Sequence, residues 1–179
     1  MVPKKVPGSA RIAVDFTRLN TYVQRPIHPV PSPADVVAQV PATAKVFSAL
    51  DASHGYCQVP LRESARHLTA FLTPWGRFRY RRGPPGLVSS GDEFNYRTDF
   101  AFNGVGCAEK IVDDLLVHST DFSEHVADIT HILDICRAYS ITLSESKFQF
   151  AVSKVLFAGF SVSRGSGGRP LQDLSLIHI

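Results

Sequence analysis

Three aspartates stand where apolar segments end, and their type and spacing could support metal-assisted chemistry. Asp51 follows the largely apolar residues 45–50, and the adjacent Asp113 and Asp114 interrupt an apolar stretch at residues 109–119. If the two segments are neighbouring strands, the three carboxylates meet at one sheet edge and repel one another without a cation. Mg²⁺ prefers oxygen ligands, and two such ions about 3.5–4 Å apart promote in-line displacement at phosphorus. An Asp pair is also ordinary turn chemistry, so the pair alone leaves both interpretations open.

The elements that must position the aspartates are predicted as short strands followed by a long helix. Residues 45–50 alternate apolar with small or polar side chains, as a half-buried strand does. Residues 109–112 and 115–119 predict a hairpin with Asp113 and Asp114 at its tip. A capping-box-like start at Asp121 then opens a helix with an apolar stripe, whose predicted members are Phe122, Val126, Ile129, Leu133 and Cys136.

The remaining elements are shorter and complete an α+β prediction with a largely antiparallel sheet. Ser32 and Pro33 predict the start of a helix through Val40. A hairpin is predicted across residues 74–76, with Arg77, Arg79 and Arg81 on one face of its second strand. A second helix is predicted over residues 89–102, with Phe94 and Thr98 on one face. Further short strands are predicted at 11–16, 141–143, 148–151 and 155–162.

Composition and charge exclude several classes. Hydrophobic residues make up 44% and charged residues 20%, which is typical of a folded domain rather than a disordered chain. The longest apolar runs fall far short of the roughly 20 residues of a membrane span, and no apolar signal peptide opens the chain. Three scattered cysteines argue against a disulfide framework and favour a reducing compartment. Residues 1–82 hold 12 Lys and Arg against 4 Asp and Glu, and this basic half suggests contact with a polyanion.

The residues around the aspartates resemble the conserved blocks of reverse transcriptases, most closely those of gypsy-type LTR retrotransposons. Six blocks follow one another in the family's order, at residues 2–20, 47–61, 69–80, 111–119, 141–150 and 157–160. The resemblance implies a right-hand polymerase palm, an antiparallel sheet packed on helices, with partial fingers. It covers residues 1–163, with fingers at about 1–44 and 62–82 and palm at about 45–61 and 83–163. Residues 164–179 are predicted to be a loop and a tail outside the family.

The resemblance also implies a role for each site residue. Asp51, Asp113 and Asp114 would hold two Mg²⁺ ions, or Mn²⁺, while a primer 3′-hydroxyl attacks the α-phosphorus of a dNTP. Lys147 would protonate the leaving pyrophosphate. The residues expected to contact the dNTP are Lys4 and Arg11 at the triphosphate, Tyr56 at the sugar, and Pro85. The expected primer grip consists of Phe157, Ala158, Gly159 and Phe160.

Each of these roles has a plainer alternative. Surface charge is the alternative for Lys4, Arg11 and Lys147, and core packing is the alternative for Tyr56. The arginine face of the hairpin has two interpretations, binding of the template backbone and a charged edge that resists aggregation. Pro85 departs from the family, which carries Gln, Met or Phe there, and proline offers no N–H.

The predicted function is RNA-directed DNA synthesis by a piece of a retrotransposon polyprotein. The predicted partners are an RNA or DNA template with its primer, dNTPs, and the thumb, connection and RNase H regions of the same polyprotein, without a membrane. The predicted location is cytoplasmic, inside the cell or in a retrotransposon particle. The alternatives are an inactive truncated relic that keeps the palm fold and weak nucleic-acid binding, and, further behind, a metal-dependent nuclease.

Overall fold

The chain forms two compact units in the computed structural model, which describes the backbone of Val2–Pro3, Ala10–Arg11 and residues 14–164 and the side chains of 14–164. One unit comprises Met1–His28 and His54–Tyr96, and the other comprises Pro29–Ser53 and Arg97–Ile179. The predicted α+β class is confirmed, since helices accompany sheets whose described strand pairs are antiparallel. The elements are, in chain order, β1 (Val2–Pro3), β2 (Ala10–Arg11), α1 (Thr17–Asn20), α2 (Pro33–Ala38), β3 (Val46–Asp51), β4 (Phe71–Thr73), β5 (Gly76–Phe78), α3 (Val88–Ala101), β6 (Ala108–Ile111), β7 (Asp114–Ser119), α4 (Phe122–Ala138), β8 (Gln149–Val152), β9 (Lys154–Phe157) and β10 (Phe160–Ser163).

The second unit is built around a four-stranded sheet in the order β6-β7-β3-β8. Strands β3 and β7 pair along their full length, from Val46 opposite Ser119 to Asp51 opposite Asp114. The predicted strand at 45–50 is therefore confirmed, and its partner is the second strand of the predicted hairpin.

Because side chains alternate along β3 and β7, the two faces of these strands contribute to two separate hydrophobic cores. On one face Phe47 and Leu116 pack with α2 residues and with the β9–β10 hairpin. On the other face Leu50, Leu115 and Val117 pack against α4. Buried on both faces, the two central strands are held in one register, because a slip by one residue would exchange the two cores.

Helix α4 begins as predicted but turns a different face to the sheet. The Asp121 side chain accepts a hydrogen bond from the Glu124 N–H at the predicted N-cap. The buried positions, however, are His125, Ile129, Ile132 and Cys136. Phe122 is 60% exposed, and Val126 and Leu133 are also exposed, so three of the five predicted stripe members are wrong. Side-chain hydrophobicity alone predicts the wrong stripe, whereas the buried face is the one on which His125 contacts Ser48 and Ser119.

Two predicted strand boundaries are corrected by tight turns. Ile111 pairs with Asp114, so the two-residue turn of the β6–β7 hairpin is Val112-Asp113, and Asp114 begins β7 rather than lying at the tip. The predicted strand at 155–162 is instead the hairpin β9–β10, because Phe157 pairs with Phe160 across Ala158 and Gly159. Ala158 and Gly159 both have positive φ, as a type I′ hairpin turn requires.

The remaining corrections concern short strands and one arginine face. Strand β5 ends at Phe78, because the Tyr80 N–H donates to Thr69 Oγ1 instead of continuing the ladder. Only Arg77 of the three arginines therefore lies in a strand, although all three are exposed. Residues 14–16 are not extended into a strand, and residues 141–143 contribute a single bridge between Leu143 and Ala52. The predicted helices at 33–40 and 89–102 are confirmed as α2 and α3, and Phe94 and Thr98 are both buried.

Candidate active site

The second unit brings Asp51 and Asp114 together as direct cross-strand partners. Asp51 is the last residue of β3 and Asp114 the first of β7, and register pairs the two. They lie on the sheet face of Phe47 and Leu116, since side chains two residues apart share a face. Asp51 and Asp114 line a cavity of about 300 Å³ together with Ala49, Leu50, Ser146, Lys147, Phe148, Gln149, Leu156 and Phe157.

Asp113 is placed by the strained turn that precedes Asp114. Val112 has φ +52°, a left-handed conformation that is a genuine outlier for a β-branched residue. Such strain costs on the order of 1–3 kcal/mol and concentrates at functional sites. The Asp113 carbonyl accepts a hydrogen bond of 2.8 Å from the Ala52 N–H, which holds the turn against the end of β3. Sequence reasoning missed Val112, because valine is among the residues least expected at positive φ.

The electrostatics of the pair Asp113 and Asp114 oppose double ionisation. Burial raises the pKa of Asp113, and the charge of Asp51 raises it further against the opposing effect of Lys147 and Lys110. Burial likewise raises the pKa of Asp114, with Asp51 again the leading charge. This half-buried cluster of carboxylates therefore needs nearby positive charge in order to ionise fully.

Lys147 supplies part of that charge in this structure. Its Nζ lies 2.6 Å from Asp51 Oδ2, and the short 3₁₀ turn Glu145–Lys147 carries it there. The hydrogen bond to Asp51 raises the pKa of Lys147. The Lys147 side chain is 62% exposed, so it is accessible from solvent and can exchange one anionic partner for another.

The donor set fits a divalent cation by its chemistry. Asp113 Oδ1 is buried and has no hydrogen-bond partner among the described residues, a position that a bound cation would satisfy. Carboxylate oxygens are the ligands that Mg²⁺ prefers. Within residues 14–164, however, no group of three or more His, Cys, Asp or Glu side chains is already gathered to hold a metal. Asp51 Oδ2 is instead held by Lys147.

Comparison with known proteins identifies the family of this chain. Residues 2–162 match the sequence profile described as reverse transcriptase (RNA-dependent DNA polymerase). The chain belongs to the reverse transcriptase family. It is 31% identical over 177 residues to the Transposon Tf2-3 polyprotein of Schizosaccharomyces pombe, and 30% identical over 174 residues to the Transposon Tf2-7 polyprotein of the same organism. Each match covers 96% of this chain but 13% of the polyprotein.

Solved reverse transcriptase structures share the fold. The foamy viral protease-reverse transcriptase dRH in complex with double-stranded DNA has a TM-score of 0.84 and 23% identity, over 91% of this chain and 28% of that one. The foamy viral protease-reverse transcriptase in complex with an RNA/DNA hybrid has a TM-score of 0.79 and 21% identity, over 86% of this chain and 21% of that one. The palm-like α+β architecture predicted for this reverse transcriptase chain is thereby confirmed.

The first unit contains Tyr56 and Pro85, two of the residues predicted to contact the nucleotide. Tyr56 lies in the 3₁₀ turn Gly55–Gln58, half-buried, with its ring edge-on to Phe94 at 6.3 Å. Pro85 is half-buried in the turn before α3. Asn20, which sequence reasoning missed, anchors that turn, because its side chain donates to the Gly86 carbonyl and accepts from the Val88 N–H.

The other predicted site residues divide into described and undescribed positions. Lys4 lies outside the described residues, and so does the side chain of Arg11, whose backbone is in β2. In the predicted primer grip, Phe157 is buried in the core and borders the aspartate cavity, while Ala158 and Gly159 form the turn before Phe160. Among the described residues no helix is long and apolar enough to cross a membrane.

Proposed function

We propose that this chain carries the fingers and palm of an RNA-directed DNA polymerase that extends a primer with dNTPs on an RNA or DNA template. The observation that carries the proposal is the pairing of Asp51 with Asp114 beside Asp113, whose Oδ1 is buried without a partner, in a chain of the reverse transcriptase family. The chain spans 13% of its curated polyprotein relatives. The thumb, connection and RNase H regions that we expect as partners would come from the same polyprotein.

The reaction follows from the chemistry of these side chains. Asp51, Asp113 and Asp114 would hold two Mg²⁺ ions, or Mn²⁺ in their place, and the chemistry supplied is charge stabilisation during phosphoryl transfer. Lys147, already 2.6 Å from Asp51, would release that carboxylate and donate a proton to the departing pyrophosphate. Phe157 and the turn after it would hold the primer end beside the cavity.

Nucleotide selection is assigned to the first unit. Tyr56 would stack on the sugar and exclude a 2′-hydroxyl, with its ring supported by Phe94. Lys4 and Arg11 would hold the triphosphate, since a cationic fork suits phosphate oxygens. Pro85 would line the nucleotide site without donating a hydrogen bond.

The finer assignments remain part of the proposal. We infer a gypsy-type LTR element, in keeping with the likeness to Tf2 polyproteins, and a retrotransposon particle inside the cell as the location. Fingers at about 1–44 and 62–82 and palm at about 45–61 and 83–163 are the proposed functional division.

Primer extension tests the proposal directly. The chain fused to a thumb region of the family should extend a DNA primer on an RNA template with Mg²⁺ and dNTPs, and Asp113→Asn should abolish extension. Asp134→Asn, at an exposed position on α4, is the matched control and should extend normally.

Two outcomes would contradict the proposal in different ways. Extension that survives Asp113→Asn would refute the site assignment. Absence of extension in a folded wild-type fusion would favour the inactive relic, which Pro85 and its missing N–H make the competing candidate. Stabilisation of the wild-type chain by Mg²⁺, lost in Asp113→Asn, would show that the carboxylates still bind metal even in that case.

A further inference from the structure

A chain of hydrogen-bonded polar groups connects α4 to three strands of the central sheet. We call it the relay, and its members are the Ala151 N–H, Ser48, His125, Ser119 and Asp128. His125 on α4 is 0% exposed and lies 2.6 Å through Nε2 from Ser48 Oγ on β3, a residue that is also 0% exposed. Its Nδ1 lies 2.8 Å from Ser119 Oγ at the end of β7. Ser119 Oγ in turn lies 2.6 Å from Asp128 Oδ2, one helical turn beyond His125.

The first group of this relay is the backbone of a β-bulge. Strand β3 pairs with β8 through Phe47 opposite Val152 and Ala49 opposite Gln149, so β8 carries one extra residue. Ala151 in the bulge has φ +51°, and its N–H donates to Ser48 Oγ at 2.9 Å. Ser48 thus satisfies a donor that the bulge removes from the sheet ladder.

The directions of the hydrogen bonds follow from the available protons. The Ser119 hydroxyl donates to the Asp128 carboxylate and must therefore accept from His125 Nδ1. A neutral imidazole has one N–H, which leaves Nε2 as an acceptor for the Ser48 hydroxyl. Ser48 Oγ still has a lone pair for the Ala151 N–H. Every polar hydrogen of the relay is used in this arrangement.

A protonated ring would break the relay at Ser48. Its Nε2–H would donate to the remaining lone pair of Ser48 Oγ, and the Ser48 hydroxyl hydrogen would lose the acceptor that it has in the relay. Burial lowers the pKa of His125, and His118 on β7 adds to this effect against the opposing charge of Asp128. The Cys107 thiol beside Asp128 has a pKa of about 11, mainly because of burial, and is therefore neutral.

We propose that His125, neutral and with its proton on Nδ1, is the positioning residue that locks α4 to the strands bearing Asp51 and Asp114. Ser48 lies three residues before Asp51 on β3, and Ser119 closes the far end of the β3–β7 register that pairs Asp51 with Asp114. Ser48, His125 and Ser119 are buried and Asp128 is half-buried, so these groups hold the strands rather than touch substrate. Its consequence for catalysis rests on the proposed polymerase function, whereas the relay itself does not.

The tautomer of His125 can be read directly by NMR. In the ¹⁵N-labelled chain, two-bond ¹H–¹⁵N correlations should show protonated Nδ1 and unprotonated Nε2 for His125. The ring should stay neutral at pH values somewhat below the ordinary histidine pKa of about 6.5, because burial lowers the pKa of His125. An Nε2–H tautomer, or protonation of the His125 ring at the ordinary histidine pKa, would overturn the proposal, and this measurement needs no variant.

Amide exchange tests the link to the bulge. Ser48→Ala removes the acceptor of the Ala151 N–H, so exchange of that amide should accelerate about tenfold or more, as expected for a lost buried hydrogen bond. Ser48→Thr keeps a hydroxyl and should restore slow exchange, and Ser123→Ala, at an exposed position on α4, should leave it unchanged. Unchanged exchange of Ala151 in Ser48→Ala would contradict the relay.

A kinetic measurement separates the relay from the polymerase function. His125→Asn keeps a donor towards Ser119 but loses the acceptor for Ser48, so the extension rate at saturating dNTP should fall while KM for dNTP is unchanged. A wild-type fusion that extends no primer would refute the polymerase function, and the tautomer and exchange results would still decide the relay. Unaltered extension by His125→Asn would refute the positioning role.

Discussion

Burial and the charge of Asp51 both oppose the ionisation of Asp113 and Asp114 in the folded chain. Their pKa values are raised by burial first and by the Asp51 charge second, and Lys147 opposes both. A carboxyl whose pKa is higher in the folded than in the unfolded chain binds protons more tightly when folded. Stability contributed by these two groups therefore falls as the pH rises from the ordinary aspartate value through the raised one.

Replacing Lys147 should increase this loss of folding stability with rising pH. Lys147→Gln removes the charge that opposes the upward pKa shifts, so the variant should be less stable than wild type above the ordinary aspartate pKa and equal to it in acid. The expected difference is about 0.5–1 kcal/mol, because the ammonium is largely exposed and screened by solvent. Urea unfolding at several pH values measures it, with Lys154→Gln on β9 as the exposed-lysine control. Equal stability at every pH would contradict the role of Lys147 as a counter-ion.

At the scale of elements, α4 shows how a buried polar residue sets the face of a helix. Its contact face contains His125, Ile129, Ile132 and Cys136, and the hydroxyls of Ser48 and Ser119 lie opposite His125. Turning the helix to bury Phe122 and Leu133 instead would remove the imidazole from both hydroxyls. A buried hydroxyl without a partner costs about 1–3 kcal/mol. The observed orientation avoids this cost, but it leaves the Phe122 ring exposed and so forgoes the free energy of burying that ring.

Two adjacent residues on α4 test this orientation. Ile132 is fully buried whereas Leu133 is 40% exposed. Ile132→Ala should lower the free energy of unfolding by about 2–5 kcal/mol because it leaves a cavity between the helix and the sheet. Leu133→Ala should cost about 1 kcal/mol or less, as at other surface positions. Chemical denaturation of the two variants measures both values, and similar losses would mean that the helix faces the sheet differently.

At the scale of the whole molecule, positive charge is concentrated in one part of the chain. The described residues of the first unit, 14–28 and 54–96, include eight arginines, and the three in and after strand β5 (Arg77, Arg79 and Arg81) are exposed. The structure is compatible with both interpretations of these three, a charged edge that resists aggregation and a surface for a nucleic-acid backbone. The two differ in their dependence on salt.

Binding of a single-stranded nucleic acid at several salt concentrations distinguishes the two interpretations. Each arginine that contacts a phosphate adds about 0.7 to the slope of log affinity against log salt. Replacing all three by Gln should reduce the slope by about 2 if they bind the template, and Arg137→Gln, at an exposed position on α4, should leave it unchanged. An unaltered slope in the triple variant would assign the arginines to the charged edge.

Much of the fold was predictable from local patterns. The strand ending at Asp51, the caps at Ser32 and Asp121, and the burial of Phe94 and Thr98 depend on residues close together in the chain. The sequence-based predictions failed where contacts between distant residues determine the structure. The turn at Val112 and Asp113 is one residue away from its predicted position because cross-strand register, not turn propensity, ends β6. The ion pair of Lys147 with Asp51 and the buried contacts of His125 were not predicted, because the partners lie 96 and 77 residues away in the chain.

By itself the sequence determined that three aspartates stand at the ends of apolar segments, that these segments belong to an antiparallel α+β sheet, and that the blocks around them are those of a reverse transcriptase. Only the tertiary structure decided which carboxylates face each other, which lysine neutralises Asp51, and which side of α4 is buried. The physical reason is that strand propensity and apolar pattern are local properties. Register, desolvation and hydrogen-bond satisfaction are settled only when distant segments compete for the same buried space.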